Sequence, residues 1–323
     1  MIIIRITSVI LVLSILSCSE NEESPREDFS SALPSPAKAK EGKYFFDDGS
    51  VYQGTLAMGK PDGFGRRVYG NSDVYEGQFR KGLEHGSGTL RFKSDEEIDR
   101  YVGMWASGQM EGFGALVLVD ESRMEGEWKN GSLRFGEFQG ANGEIKSGRW
   151  EGNTIAEMFL KEGRVRLPNG DDFSGILDYE GKYRNGSLKL ANGDIFVGSF
   201  ASGIFDGRGV LEKASGSLYV GQFSGGLYSG TGLLIEEDGE TYSGEFRNGL
   251  PEGYGIQDSP SGVQYSGSWL AGQREGMGAI DFGDGSSFIG EFRNGFAYDG
   301  EYDWGDGRKT KSYQDENGVW RDR

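Results

Sequence analysis

Covalent chemistry near neutral pH is done mostly by cysteine, histidine, serine and paired carboxylates. This chain of 323 residues holds one cysteine, Cys18, and one histidine, His85. A serine or cysteine nucleophile needs a base beside it, and no serine stands with a histidine and an acid in a context that would build such a group. His85 lies between Gly82 and Gly86 in a stretch that reads as a surface turn, where comparable stretches carry Glu111, Asp206 or Glu252. Carboxylates are abundant, with 51 Asp and Glu, and two acids across a cleft suffice to hydrolyse a glycoside. Nothing marks out a pair. Glu76, Glu127, Glu245, Glu291 and Glu301 recur beside glycines, often with Arg80, Lys129, Arg247 or Arg293 close by, which is the pattern of a solvated, mixed-charge sheet face. The Asp-rich stretches 281–284 and 303–306 lack the regular oxygen spacing of a calcium loop. The residues therefore point to a non-enzyme without metal or cofactor.

Cys18 has a different context. Arg5 precedes an apolar run from Ile6 to Leu16 broken only by small hydroxyl residues, too short for a membrane span of about 20 residues and arranged like a secretory signal. Its end, Ile15-Leu16-Ser17-Cys18, resembles the bacterial lipobox: an aliphatic residue, a small residue, then the cysteine that is lipidated and becomes the new N-terminus. The resemblance implies a signal peptide over 1–17 and an anchor at Cys18, several acyl chains holding a protein where one is marginal. It places the protein at the bacterial cell envelope. Ser19, Glu20, Glu22 and Glu23 resemble the sorting signals of outer-membrane or surface lipoproteins more than inner-membrane ones. Residues 19–40 are rich in Ser, Pro, Ala and charge, so 18–41 reads as the lipidated cysteine and a flexible tether. No cysteine is left for a disulfide, and folding must come from packing.

Beyond residue 41 glycine and aromatic residues dominate: 56 glycines against 7 prolines, and 13% aromatics. They recur in phase as Tyr-x-Gly-x-aromatic, then Gly, then Gly-x-Gly. Tyr52, Gly54, Leu56, Gly59, Gly63 and Gly65 form the first unit. Tyr75 with Phe79 and Tyr101 with Trp105 begin the next two, the latter delayed by the acidic insert 95–99. After a blurred stretch, Phe196 with Phe200, Tyr219 with Phe223, Tyr242 with Phe246, Tyr265 with Trp269 and Phe288 with Phe292 follow in steps of 23 residues.

Residues two apart share one face of a strand, so each ring pair lies on the same side, and the glycines leave bare backbone for rings to cover. Asp48-Gly49, Asn169-Gly170, Asn192-Gly193, Asp238-Gly239 and Asp284-Gly285 suit turns with positive φ, and Asn248 to Glu252 reads as the other turn of its unit. A lone unit buries too little to fix its backbone, so the units must stack.

These motifs resemble the MORN repeat family over about residues 49–295. The resemblance implies an all-β fold: an elongated, single-layer antiparallel sheet of tandem β-hairpins of about 23 residues. The chain then divides into a first arm (42–123), degenerate repeats (124–193), a second arm (194–304) and a charged C-terminal cap (305–323). In the middle, Met124-x-Gly126-x-Trp128 and Lys146-x-Gly148-x-Trp150 keep glycine and ring but lose the tyrosine. That stretch reads either as a bend or seam of irregular strands or as an inserted subdomain.

MORN-like repeats are linked to phospholipid binding in some proteins. A formal net charge of -17 argues against transferring that role, and against nucleic acid, because anionic headgroups and phosphates are bound by basic clusters. The membrane link then falls to the lipid on Cys18. The sheet is expected to bind an envelope protein or another copy of itself, as a homo-oligomer, through an apolar stripe on its ring-bearing face or through its strand edges. The alternative is glycan or small-ligand binding, with less support for a cryptic glycan hydrolase, in which Trp105 or Trp269 stacks on sugar rings.

Overall fold

The computed structural model describes residues 40–322. Cys18, the expected signal peptide, nearly all of the expected tether and Arg323 lie outside the described residues.

Those residues form one antiparallel sheet of 25 strands, interrupted by a single 3-10 turn at Ile155–Glu157. Every strand pairs with the strands before and after it in the chain, from Lys40–Phe45 against Val51–Ala57 to Lys309–Gln314 against Trp320–Asp322. A meander of this kind follows from short turns alone. Asn248 (φ 51°) and Gly249 (φ 84°) both adopt left-handed conformations, which gives the two-residue turn whose twist matches a hairpin. That turn is shorter than the stretch Asn248 to Glu252 suggests, since Leu250 already begins the strand Leu250–Asp258. His85 is likewise half-buried within the strand Leu83–Arg91 and not in a turn. The opposite turns close through bonds such as Gly239 N–H to the Glu236 carbonyl at 2.9 Å.

The hairpin of strands Thr241–Arg247 and Leu250–Asp258 shows the packing device. Gly244 faces Gly255 across the ladder, and Tyr242 covers both. A Cβ on Gly255 would come within 2.3 Å of the tyrosine oxygen and 2.5 Å of its ring. The Tyr242 hydroxyl donates to the Glu245 carbonyl at 3.0 Å, where the register shifts after Gly244. The same bond, from tyrosine to the residue three further on, forms at Tyr52, Tyr75, Tyr101, Tyr219 and Tyr265.

From the second unit on, the second ring of a matching unit wedges between its own first ring, Tyr or Phe, and a ring of the preceding hairpin. Phe79 stands edge-on to Tyr52 at 4.7 Å and to Tyr75 at 5.1 Å, and the pattern continues through Trp105 and Tyr101 to Trp128. Another edge-on row runs from Phe173 through Phe200, Phe196 and Phe223 to Phe292 and Phe288. Each pair adds about 0.5–1.5 kcal/mol beyond its buried area, so the coupling between units is continuous within each row.

Between Trp128 and Phe173 the rings are interrupted but the backbone is not. Gly126, Gly136, Gly148, Gly163, Gly175 and Gly186 pair in succession, which makes residues 124–193 strands of the same sheet. At the C-terminal end two further strands extend the ladder, and Trp320 packs against Phe288 at 4.9 Å and Tyr302 at 5.0 Å. Arg308, Lys309 and Arg321 are paired with Asp306, Glu301 and Asp315.

If ring-on-glycine contact carries the fold, Gly255→Ala destabilises the sheet by about 1–3 kcal/mol through overpacking against Tyr242. Gly70→Ala, whose nearest neighbour would be a carbonyl oxygen at 3.8 Å, leaves it unchanged. Urea titration of the two variants decides between them.

Candidate binding surfaces

The residues that the repeat pattern singles out come together as one core. Tyr52, Tyr75, Phe79, Tyr101, Trp105, Phe196, Phe200, Tyr219, Phe223, Tyr242, Phe246, Tyr265, Trp269, Phe288 and Phe292 are all buried. An exposed apolar stripe on this face is therefore corrected by the structure. The rings spend their surface on glycine backbone, on one another and on flanking residues such as Tyr44, Leu90, Tyr228 and Leu234.

Stacking of sugars on Trp105 or Trp269 is corrected for the same reason. The two are 6% and 7% exposed, and their indole N–H groups donate to the Gly88 and Gly255 carbonyls at 3.3 Å. Trp128 and Trp150 make the equivalent bonds to Gly114 and Gly136. No free ring face remains there for a sugar.

Acids that read as solvated turn residues have a different task. Asp62, Glu111, Asp206, Glu252 and Glu275 accept from the first turn amide of the next unit, at Lys81, Asn130, Gly225, Ala271 and Asn294. They staple consecutive hairpins. The signal was available in the sequence as an acid one residue before the Gly-x-Gly glycines, but its partner lies 19 residues away.

Two polar clusters interrupt the ring-bearing face. Arg67 is buried, pairs with Glu84 at 2.9 Å and Asp48 at 2.7 Å, donates to Ser50 and stacks over Phe46. Tyr69 donates to the same Glu84 carboxylate at 2.6 Å, and burial followed by that bond pushes its phenol far up. In the second arm Arg274 donates to Gln257, which donates to Glu240. Charge compensation makes the first cluster structural, since removing one member of the buried Arg67–Glu84 pair strands the other, and the second is a half-buried hydrogen-bond chain through the neutral Gln257. Their signature was a polar side chain, Arg67 or Gln257, in the row where other units place Leu90, Leu116, Leu211 or Leu234.

The opposite face of the second arm is the candidate functional site. Val197, Val210, Val220, Leu233, Ser243, Ile256, Ser266, Ala279 and Ile289 are consecutive cross-strand neighbours. Val197 is 50% exposed, Val220 42% and Ile289 61%. No charge falls in this ladder. The same row in the preceding strands carries Arg66, Glu76, Glu125, Glu137 and Arg164. Seven of its nine members are apolar, the others being Ser243 and Ser266, and beside this apolar ladder stand Glu212, Glu245, Asp258, Asp281 and Glu291, against Arg208. Among the described residues no group of three or more His, Cys, Asp and Glu is placed to hold a metal ion.

Consecutive hairpins in one open sheet, joined by nearest-neighbour contacts, define a tandem-repeat scaffold. Residues 52–74, 75–95, 101–123, 196–218, 219–241, 242–264 and 265–287 match the MORN repeat, so the chain carries seven of these repeats. A stretch of 128 residues is 32% identical to alsin of Rattus norvegicus and 31% to alsin of Homo sapiens. It covers 36% of this chain and 8% of those proteins. Among solved structures, the TCP domain of SAS-4 (dCPAP) in complex with a proline-rich motif of Ana2 of Drosophila melanogaster is similar at 16% identity and a TM-score of 0.29. That likeness covers 55% of this chain and 99% of the other. The CPAP G-box domain follows at 14% identity and a TM-score of 0.25, over 66% of this chain and 98% of that one.

Burial pushes the phenols of Tyr52, Tyr219, Tyr242 and Tyr265 up to about 12, against about 10 in an unfolded chain. The fold holds the neutral phenol, so this contribution is complete below about pH 10 and is lost as pH rises towards 12. Strand circular dichroism is expected to collapse in that window together with the rise of tyrosinate absorbance. Tyr242→Phe combined with Tyr265→Phe makes the loss of stability per pH unit smaller; an unchanged slope contradicts the assignment.

Proposed function

We propose that the protein is a lipid-anchored scaffold of the bacterial envelope, held by acyl chains on Cys18 and facing the outer membrane or surface. Its sheet docks a partner protein on the apolar ladder of the second arm. The observation that carries the docking role is the nine-rung, charge-free ladder from Val197 to Ile289 on a chain that is otherwise rich in charge.

Rungs spaced by roughly 4.8 Å give a strip roughly 40 Å long, and with its flanking rows it would bury on the order of 600 Å² per partner, near the low end of specific interfaces. Acids line its margins, so the surface that fits it pairs an apolar strip with basic flanks. A second copy, carrying the same acids, is the poorer match. Scaffolding agrees with the MORN repeats themselves, and the anchor with the lipobox-like Ile15-Leu16-Ser17-Cys18.

Fractionation of cells carrying Cys18→Ala is expected to move the protein from the membrane pellet to the soluble fraction; retention in the pellet refutes the anchor. In the anchored protein, Val220→Lys is expected to abolish cross-linking to the envelope partner, while Ser174→Lys, in the polar part of the same row, leaves it intact. Equal cross-linking by both variants removes the docking face, and a dimer of the chain as the only product assigns it to self-association.

A further inference from the structure

The ring row stops at Trp128 and resumes at Phe173, and at that interruption the ring-bearing face opens into a cleft of about 480 Å³. Its walls are Met124, Phe138, Trp150, Leu160 and Leu177, with Met158 contributed by the insertion that holds the 3-10 turn. In each hairpin that matches the repeat, the residue two before the first strand glycine is Tyr or Phe. In the two hairpins built on Gly126 and Gly148 it is Met124 and Lys146, and both line the cleft. The glycines record the loss. A Cβ on Gly65 or Gly88 would meet a tyrosine ring, whereas the three atoms nearest one on Gly136 or Gly163 are all backbone.

The size lies within the range of ligand pockets, roughly 300–1,000 Å³, and two methionines give walls that adapt to an occupant. The rim sets the charge. Lys146 is paired with Glu144 at 3.0 Å and Glu180 with Lys182, which leaves Asp95 and Glu97 as the net charge at the mouth. The side-chain carboxylate of Asp95 also accepts the amides of Glu97 and Ile98, which fixes it at the rim.

We infer that this cleft receives a segment of a partner polypeptide in which an aromatic side chain stands between basic ones. The ring enters the gap in the edge-on row, between Trp150 and the walls that replace the missing tyrosines, and the flanking cations meet Asp95 and Glu97. The site is independent of the second-arm ladder: it lies on the other face, its walls come mostly from the stretch between the matching repeats, and its acidic rim comes from the end of the first arm.

Calorimetric titration of the full-length chain with the blocked tripeptide Arg-Trp-Arg tests it, against Arg-Ala-Arg and Glu-Trp-Glu. Saturable one-site binding is expected for Arg-Trp-Arg, with the other two about tenfold weaker or silent. Ala156→Trp, which fills the cleft from the exposed 3-10 turn, abolishes binding with unchanged circular dichroism. Glu97→Lys, at an exposed position, weakens it several-fold. Equal binding of Arg-Ala-Arg, full binding by Ala156→Trp, or no binding of Arg-Trp-Arg each overturns the inference.

Discussion

A tyrosine ring lying against bare glycine backbone is the contact on which the rest of the sheet depends. Glycine inside a strand ordinarily weakens it, because it contributes no side chain and loses much conformational freedom. Here the loss is offset twice. The glycine pair, such as Gly244 and Gly255, lets Tyr242 approach more closely than any Cβ would permit, and the ring then fixes the slot into which the next unit's Trp269 stands edge-on at 5.1 Å. One interaction thereby specifies both the hairpin and its coupling to the following one, which is why the units make sense only in tandem.

The same contact decides what the molecule offers to others. Rings that cover glycine and wedge against one another have no surface left for a ligand, so the ring-bearing face is closed at the paired rings and opens into a cleft where Met124 and Lys146 replace the tyrosine. Binding potential moves to the opposite face. There the side chains are free to vary, and in the second arm they form an apolar ladder edged by acids. The proposed membrane anchor at Cys18 is separate from both surfaces in the sequence.

The fold was legible because its device is local: Tyr-x-Gly-x-Phe and Gly-x-Gly lie within one unit, and period-2 spacing alone places Tyr242, Gly244 and Phe246 on one face. What escaped reading depends on contacts between units. Closure of the ring face requires Phe79 to meet Tyr52, 27 residues earlier, and the acid staples join Asp62 to Lys81 and Glu252 to Ala271 across 19 residues. The outward ladder was hidden for a related reason. Val197, Val210, Val220 and Leu233 become neighbours only once the register is known, and no short window of sequence contains them together. Buried Arg67 and Glu84 break the apolar rule at positions that look ordinary until their hairpins are stacked.

Hydrogen exchange resolved strand by strand tests most directly whether ring-on-glycine coupling organises the sheet. If it does, amides of the strands from Val51–Ala57 to Arg123–Lys129 form one strongly protected block, those from Ile195–Ala201 to Ser287–Arg293 form another, and the strands Ser132–Gln139 to Phe159–Arg166 open at lower free energy. Protection that is uniform along the sheet, or greatest in the strands between Ser132 and Arg166, would show that backbone pairing alone holds the sheet and that the rings do not.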